Sequence, residues 1–124
     1  MKLTPRKKAI TIAKIADSKK GEDIKVLNLK KISTLCDYFV IISGNSEPHI
    51  ETIFEEIKRQ LKKFGIYPYH YEGIEYKRWI ILDYGDVMVH IMNKELRDYY
   101  ALERIWAEAK NVNWYEKGTK KDNK

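Results

Sequence analysis

The first apolar positions of the chain share one broad helical face: Ala9, Ile10, Ile12, Ala13, Ile15 and Ala16. That pattern predicts an amphipathic helix. Thr4-Pro5 supplies an N-cap followed by proline at the first helical position, and Lys20-Gly21 an end at which glycine would take the left-handed conformation. The pattern then changes. DIKVLNL (23–29) reads as a strand, and STLCDYFVIISG (33–44) as a second one. Its run from Tyr38 to Ile42 has no polar alternation, as expected of a central strand covered on both faces. Helical period returns with Ile50, Ile53, Phe54, Ile57, Leu61 and Phe64, behind Ser46 as N-cap and ahead of Gly65. The opposite face of that helix is charged, with Glu51, Glu55, Glu56, Lys58, Arg59, Lys62 and Lys63, a solvated surface. YPYHYEGIEY (67–76) predicts a short strand and a turn about Gly73. RWIILD (78–83) and DVMVHIM (86–92) predict two strands joined by Tyr84-Gly85, a hairpin-sized connection. Residues 93–110 read as a last helix, capped by Asn93, with Leu96, Tyr99, Tyr100, Ile105 and Trp106 near helical spacing. The expected fold is therefore one small α/β (α+β) domain over residues 1–110. It has a mixed sheet of about five strands with helices packed on it. Residues 111–124 are polar and basic and are expected to fray.

Composition changes this picture little. The 124 residues suit a single domain with a core of its own. One cysteine, Cys36, excludes an internal disulfide, and its apolar neighbours predict a buried thiol. The basic first segment lacks the uninterrupted apolar core of a secretory signal, and no apolar run approaches a membrane span, so the expectation is a cytoplasmic protein.

Charge matters through its distribution. The net charge is +6, but residues 1–31 carry ten Lys/Arg against three Asp/Glu, and residues 110–124 five against two. Between them, residues 32–109 carry nine Lys/Arg against thirteen Asp/Glu. The folded middle is mildly acidic. This weighs against an RNA-binding protein whose phosphate-binding face is the fold itself. It leaves the basic first helix (Arg6, Lys7, Lys8, Lys14, Lys19, Lys20) as a secondary RNA contact.

Three stretches could carry chemistry. Asp83, Asp86 and His90 could form a metal or acid–base site, and a metal-dependent nucleotidyl- or phosphotransferase using the two aspartates is the alternative functional reading. Metal-dependent phosphoryl transfer, however, needs carboxylates that converge. On a strand that means even spacing, whereas Asp83 and Asp86 stand three apart across a turn, and no D-x-D occurs in the chain. ISGNS (42–46) joins a buried strand to a helix N-terminus, but it has one glycine and no lysine, which is ordinary cap chemistry rather than a phosphate loop. Trp79, Tyr84, Tyr99, Tyr100 and Trp106, beside Asp83, Asp86, Asp98 and Glu103, instead match what protein-contact surfaces favour: aromatic anchors with a charged rim, here suited to a basic partner.

DYFVIISGNS, the amphipathic helix after it, WIILDYGDVMVHIM and YYALERIW, in this order and spacing, resemble the ribosomal silencing factor family, also called Iojap-related. The likeness runs from about Leu3 to Trp106. It implies a nucleotidyltransferase-like fold without that superfamily's paired carboxylates, no enzymatic activity, and no cofactor or metal. It further implies binding to the large ribosomal subunit through its basic fourteenth protein. There the factor would block subunit joining and repress translation under nutrient limitation, and the isolated protein would form a homodimer. The positions matching the family's blocks are Trp79, Asp83, Tyr84, Gly85, Asp86, His90, Tyr99, Tyr100, Glu103 and Trp106, which the resemblance makes the expected partner-binding set. After Ser46 this chain has EPHIET where family members often carry arginine, so the first turn of that helix is left out of the set.

Overall fold

The computed structural model describes residues 3–105 and 107–115, with Glu103 and Ile105 described by their backbone alone. The elements in chain order are α1 (Pro5–Ser18), β1 (Glu22–Asn28), β2 (Tyr38–Gly44), α2 (Glu47–Lys62), β3 (His70–Glu72), β4 (Trp79–Asp83), β5 (Val87–Asn93), α3 (Lys94–Tyr100), α4 (Leu102–Ile105) and β6 (Lys110–Asn111). The strands form one sheet in the order β3-β4-β5-β2-β1-β6. The central pair, β2 and β5, is parallel, with Tyr38 opposite Val87 and Gly44 opposite Asn93. All other pairs are antiparallel. No described helix is long and apolar enough to cross a membrane.

Both long helices pack on one face of this sheet. α1 buries Ala9, Ile12, Ala13, Ile15 and Ala16, and α2 buries Ile50, Ile53, Phe54, Ile57 and Leu61. They meet Val40 and Ile42 of β2, Ile80 and Leu82 of β4, and Val87, Val89 and Ile91 of β5. Burying one such side chain contributes about 1.5–3 kcal/mol, so this layer supplies most of the core. Thr4 and Ser46 cap the two helices by accepting from the amides of Lys7 and His49.

Four expectations need correction. Lys20, not Gly21, takes the left-handed conformation after α1 (φ 65°). Gly21 matters for space, since a Cβ there would sit 2.9 Å from Ile42 and 3.0 Å from the Ala16 carbonyl. β2 starts at Tyr38, because residues 30–37 turn back on themselves: the amides of Ile32 and Ser33 both donate to the Leu29 carbonyl. Phe64, counted in the stripe of α2, lies beyond its end and is exposed. The helix expected over 93–110 is broken, since Ala101 adopts φ 49° and separates α3 from the single turn of α4.

The chain beyond Lys110 also departs from expectation. Lys110 and Asn111 pair with Asn28 and Leu27, giving the sheet its sixth strand. Val112 is buried and donates its amide to the Val26 carbonyl, while the Trp114 indole donates to the Ile24 carbonyl at 3.1 Å. Asn111 to Trp114 are thus docked on β1 rather than frayed.

Candidate interaction surface

Side chains alternate across a strand, so the second face of the sheet carries Trp79, Ile81 and Asp83 of β4, Met88, His90 and Met92 of β5, and Phe39, Ile41 and Ser43 of β2. Among the described residues, the short α3–α4 segment and the stretch between β1 and β2 cover part of it. Leu27, Leu29, Cys36, Ile41, Met92 and Leu102 form a small buried cluster there, with Phe39, Trp79, Met88, Leu96 and Ala109 packed half-buried against it. Phe39, Trp79, Ile81 and Met88 therefore leave an apolar strip partly open to solvent.

Aromatic rings organise this strip. The Trp79 indole donates to Nδ1 of His90 at 3.0 Å. The His90 ring lies 4.7 Å from Phe39 and 5.9 Å from Trp79 between centroids. Trp79 meets Tyr100 at 5.0 Å, and Tyr100 meets Tyr99 edge-on at 5.0 Å. Tyr99 and Tyr100 are 79% and 47% exposed, so they stand on the surface rather than in the core. His90 is only 5% exposed, and burial holds its pKa down at about 4. It is neutral at physiological pH and a poor general acid.

The aspartates are engaged separately. Asp83 Oδ1 accepts from the Gly85 amide at 2.8 Å, closing the turn between β4 and β5. Gly85 permits that turn with φ 90°, and a Cβ there would lie 2.6 Å from the Tyr69 ring. Asp86 receives both of its contacts from Lys8 Nζ on α1, at 2.9 and 3.1 Å, and its carbonyl accepts from the amides of Asp37 and Tyr38. It ties helix, hairpin and central strand together, which the sequence spacing did not reveal. Tyr84 belongs to the main core at 3% exposure, and burial pushes its hydroxyl well above the usual phenol range. Its contribution to the surface is the shape of the turn. Trp106 lies outside the described residues, and nothing is placed for the Glu103 side chain.

An acidic corner nonetheless exists. The Cys36 thiol is pushed up to about 11, first by burial and then by the charges of Asp83 and Asp37, with a smaller push from Asp86. Asp83 and Asp37 stand near the thiol at one end of the open strip, while the Asp86 carboxylate turns to Lys8 on α1, and the thiol stays protonated and unreactive. Among the described residues no group of three or more His, Cys, Asp or Glu could hold a metal ion.

Arg97 was not singled out in the sequence. It is 3% exposed and donates from Nη1 to Ser43 Oγ at 2.8 Å, with Asp23 at 3.6 Å from Nη2. This pins α3 to β2 and so sets where Tyr99 and Tyr100 stand. A charged residue on a short polar helix gives no sign of burial; Ser43, a small polar residue near the end of an apolar strand, was the available hint.

The Asn45 backbone amide and the Ser46 hydroxyl of the Gly44-Asn45-Ser46 loop are committed to the next helix. The Asn45 amide donates to His49 Nδ1 at 3.0 Å, so Nε2 carries the proton and donates to the Lys19 carbonyl at 2.8 Å. A Cβ on Gly44 would meet Ile50 at 2.6 Å, so the loop packs against its own helix. The shallow cleft beside it, about 380 Å³, has Lys77, Arg78 and Lys94 on its wall together with Glu22, Glu47 and Glu95.

The chain is similar to known proteins in sequence and in fold. The family model described as "Ribosomal silencing factor during starvation" matches residues 2–124. Ribosomal silencing factor RsfS of Halalkalibacterium halodurans is 43% identical over 96 residues, 77% of this chain and 82% of the relative. The protein of the same name from Bacillus subtilis is 42% identical over 105 residues, 84% of this chain and 89% of the relative. A crystal structure of a Chromobacterium violaceum protein superposes with a TM-score of 0.82 at 26% identity, covering 94% of this chain and 98% of that one. A sheet open on one face, an inert thiol, a neutral histidine and two diverted aspartates thus occur in a chain that belongs to the ribosomal silencing factor family.

Proposed function

We propose that the chain represses translation by occupying the large ribosomal subunit, docking through the half-covered sheet face and the tyrosines of α3. The observation that carries this reading is the open strip of Phe39, Trp79, Ile81 and Met88, extended by exposed Tyr99 and Tyr100. Contiguous apolar surface of this kind marks an interaction site on a soluble domain, and Trp and Tyr lead the residues that carry binding energy. The partner is the basic fourteenth protein of the large subunit, whose positive charge complements the corner of Asp83 and Asp37. A bound domain of this size excludes the small subunit sterically, and that occlusion lowers translation when nutrients are scarce.

The mode of action is binding rather than catalysis. The relatives are named as silencing factors, and the groups that chemistry would need are occupied. Asp83 closes a turn, Asp86 neutralises Lys8, and His90 serves Trp79. In the isolated protein a second copy would cover the same strip, giving a homodimer that competes with ribosome binding. Arg6, Lys7, Lys19 and Lys20 of the first helical segment provide a secondary contact to ribosomal RNA, and the protein acts in the cytoplasm.

Co-sedimentation with purified large subunits, followed by addition of small subunits, tests this reading. The parent chain should sediment with large subunits and prevent joining. Tyr99→Ser/Tyr100→Ser should lose at least tenfold in affinity, and Asp83→Lys should lose several-fold, with both variants folded. Unchanged binding by the folded tyrosine variant would remove the aromatic face from the proposal.

A further inference from the structure

The docking face contains a buried polar atom whose chemistry can be read from its neighbour. An indole N–H only donates, so the contact from Trp79 makes His90 Nδ1 an acceptor and places the proton of the neutral ring on Nε2. That Nε2–H is buried, and among the described residues it has no hydrogen-bond partner. A buried donor left unsatisfied costs about 1–3 kcal/mol, and native structures rarely retain one.

Its surroundings narrow what could satisfy it. The cross-strand neighbours of His90 are Ile81 on β4 and Ile41 on β2, with Met88 and Met92 flanking it along β5. Phe39 lies against the ring. An incoming carboxylate would be desolvated here and would meet Asp83 at the end of the strip. An uncharged oxygen bears neither cost. Met88 is half-buried, unbranched and easily rotated, and it can yield to an approaching group.

We infer that His90 Nε2–H is the specificity donor of the docking face, and that the partner inserts an uncharged acceptor, a backbone carbonyl, against it. This rests on the aromatic face being the docking surface. Trp79 then has two tasks: it contributes apolar area, and it fixes the tautomer that makes His90 a donor. The partner would present an extended or turning segment with one free carbonyl between apolar side chains.

The test uses the full chain and purified large ribosomal subunits, with thermal unfolding as the control for fold. His90→Leu and His90→Phe remove the donor and should bind at least tenfold more weakly while unfolding no earlier than the parent. His90→Gln keeps an acceptor for Trp79 and a donor for the partner, and should bind within threefold of the parent. A folded His90→Leu or His90→Phe chain that binds like the parent overturns the inference. If both apolar variants unfold, His90→Gln decides: near-parental binding supports the donor role and a tenfold loss rejects it. Tyr99→Ser/Tyr100→Ser separates the two readings. If that variant weakens binding and His90→Leu does not, only the role of His90 fails; if neither does, the docking face itself is wrong.

Discussion

A histidine held neutral by burial makes stability depend on pH. The ring at position 90 has a folded pKa of about 4 against an ordinary value near 6.5. Between those values the unfolded chain binds a proton that the folded chain refuses, so stability rises with pH through this window and is complete above it. The sign is therefore acid destabilisation from about pH 6.5 down to about pH 4, worth up to about 3 kcal/mol. Glu56 acts in the same direction only lower in the acid range, its carboxyl drawn down to about 2 by hydrogen bonds from Arg59 and then Gln60. Chemical denaturation of the parent and of His90→Leu at pH 7 and pH 5 checks this. The parent should lose more stability on acidification than His90→Leu, so the stability difference should move in favour of His90→Leu at the lower pH if His90 is its source.

Among elements, the clearest surprise is the strand contributed by Lys110 and Asn111, and it defines a second measurement. Val112 and Trp114 lie on β1 through two hydrogen bonds and partly or fully buried side chains. Trp114→Ala should destabilise the protein by about 1–3 kcal/mol, from lost apolar burial and an unmade bond to Ile24. An unfolding midpoint equal to the parent's would mean that the segment contributes nothing. Long periodic elements were legible in sequence because periodicity is a local property. The stripes of α1 and α2 and the buried run of β2 follow from the order of residues alone. What escaped was set by contacts distant in sequence. The tail reads as polar, yet two apolar residues in it find a free edge of β1. Residues 93–110 have helical spacing, yet Ala101 turns left-handed and Arg97 is drawn into the sheet by Ser43. At the site, the aromatic set was legible as residue types, but the partition into surface and core was not. Tyr84 and Tyr100 look alike in sequence, but the turn after β4 sends Tyr84 into the core, while Tyr100 at the end of α3 stands outside.

For the molecule as a whole, the separation of charge from apolar surface predicts two kinds of binding term that salt can tell apart. The excess of basic over acidic residues lies mostly in the first 31 positions, whereas the open strip stands on the opposite face of the sheet from α1. Lys8 is already neutralised by Asp86, which leaves Arg6 and Lys7 as the exposed cations of the first turn of α1. Contacts from such residues to RNA phosphates release counterions, so each lowers affinity as salt rises, by a slope of nearly one per phosphate neutralised. Apolar docking of Trp79 and Tyr100 carries no such slope. Affinity for large subunits should therefore be measured from about 50 to 200 mM salt, the range over which counterion release is pronounced. Arg6→Glu/Lys7→Glu should flatten the salt dependence and weaken binding chiefly at low salt. Tyr99→Ser/Tyr100→Ser should lower affinity about equally at every salt and leave the slope alone. If the charge variant instead reproduces the parent's slope, Arg6 and Lys7 take no part in binding.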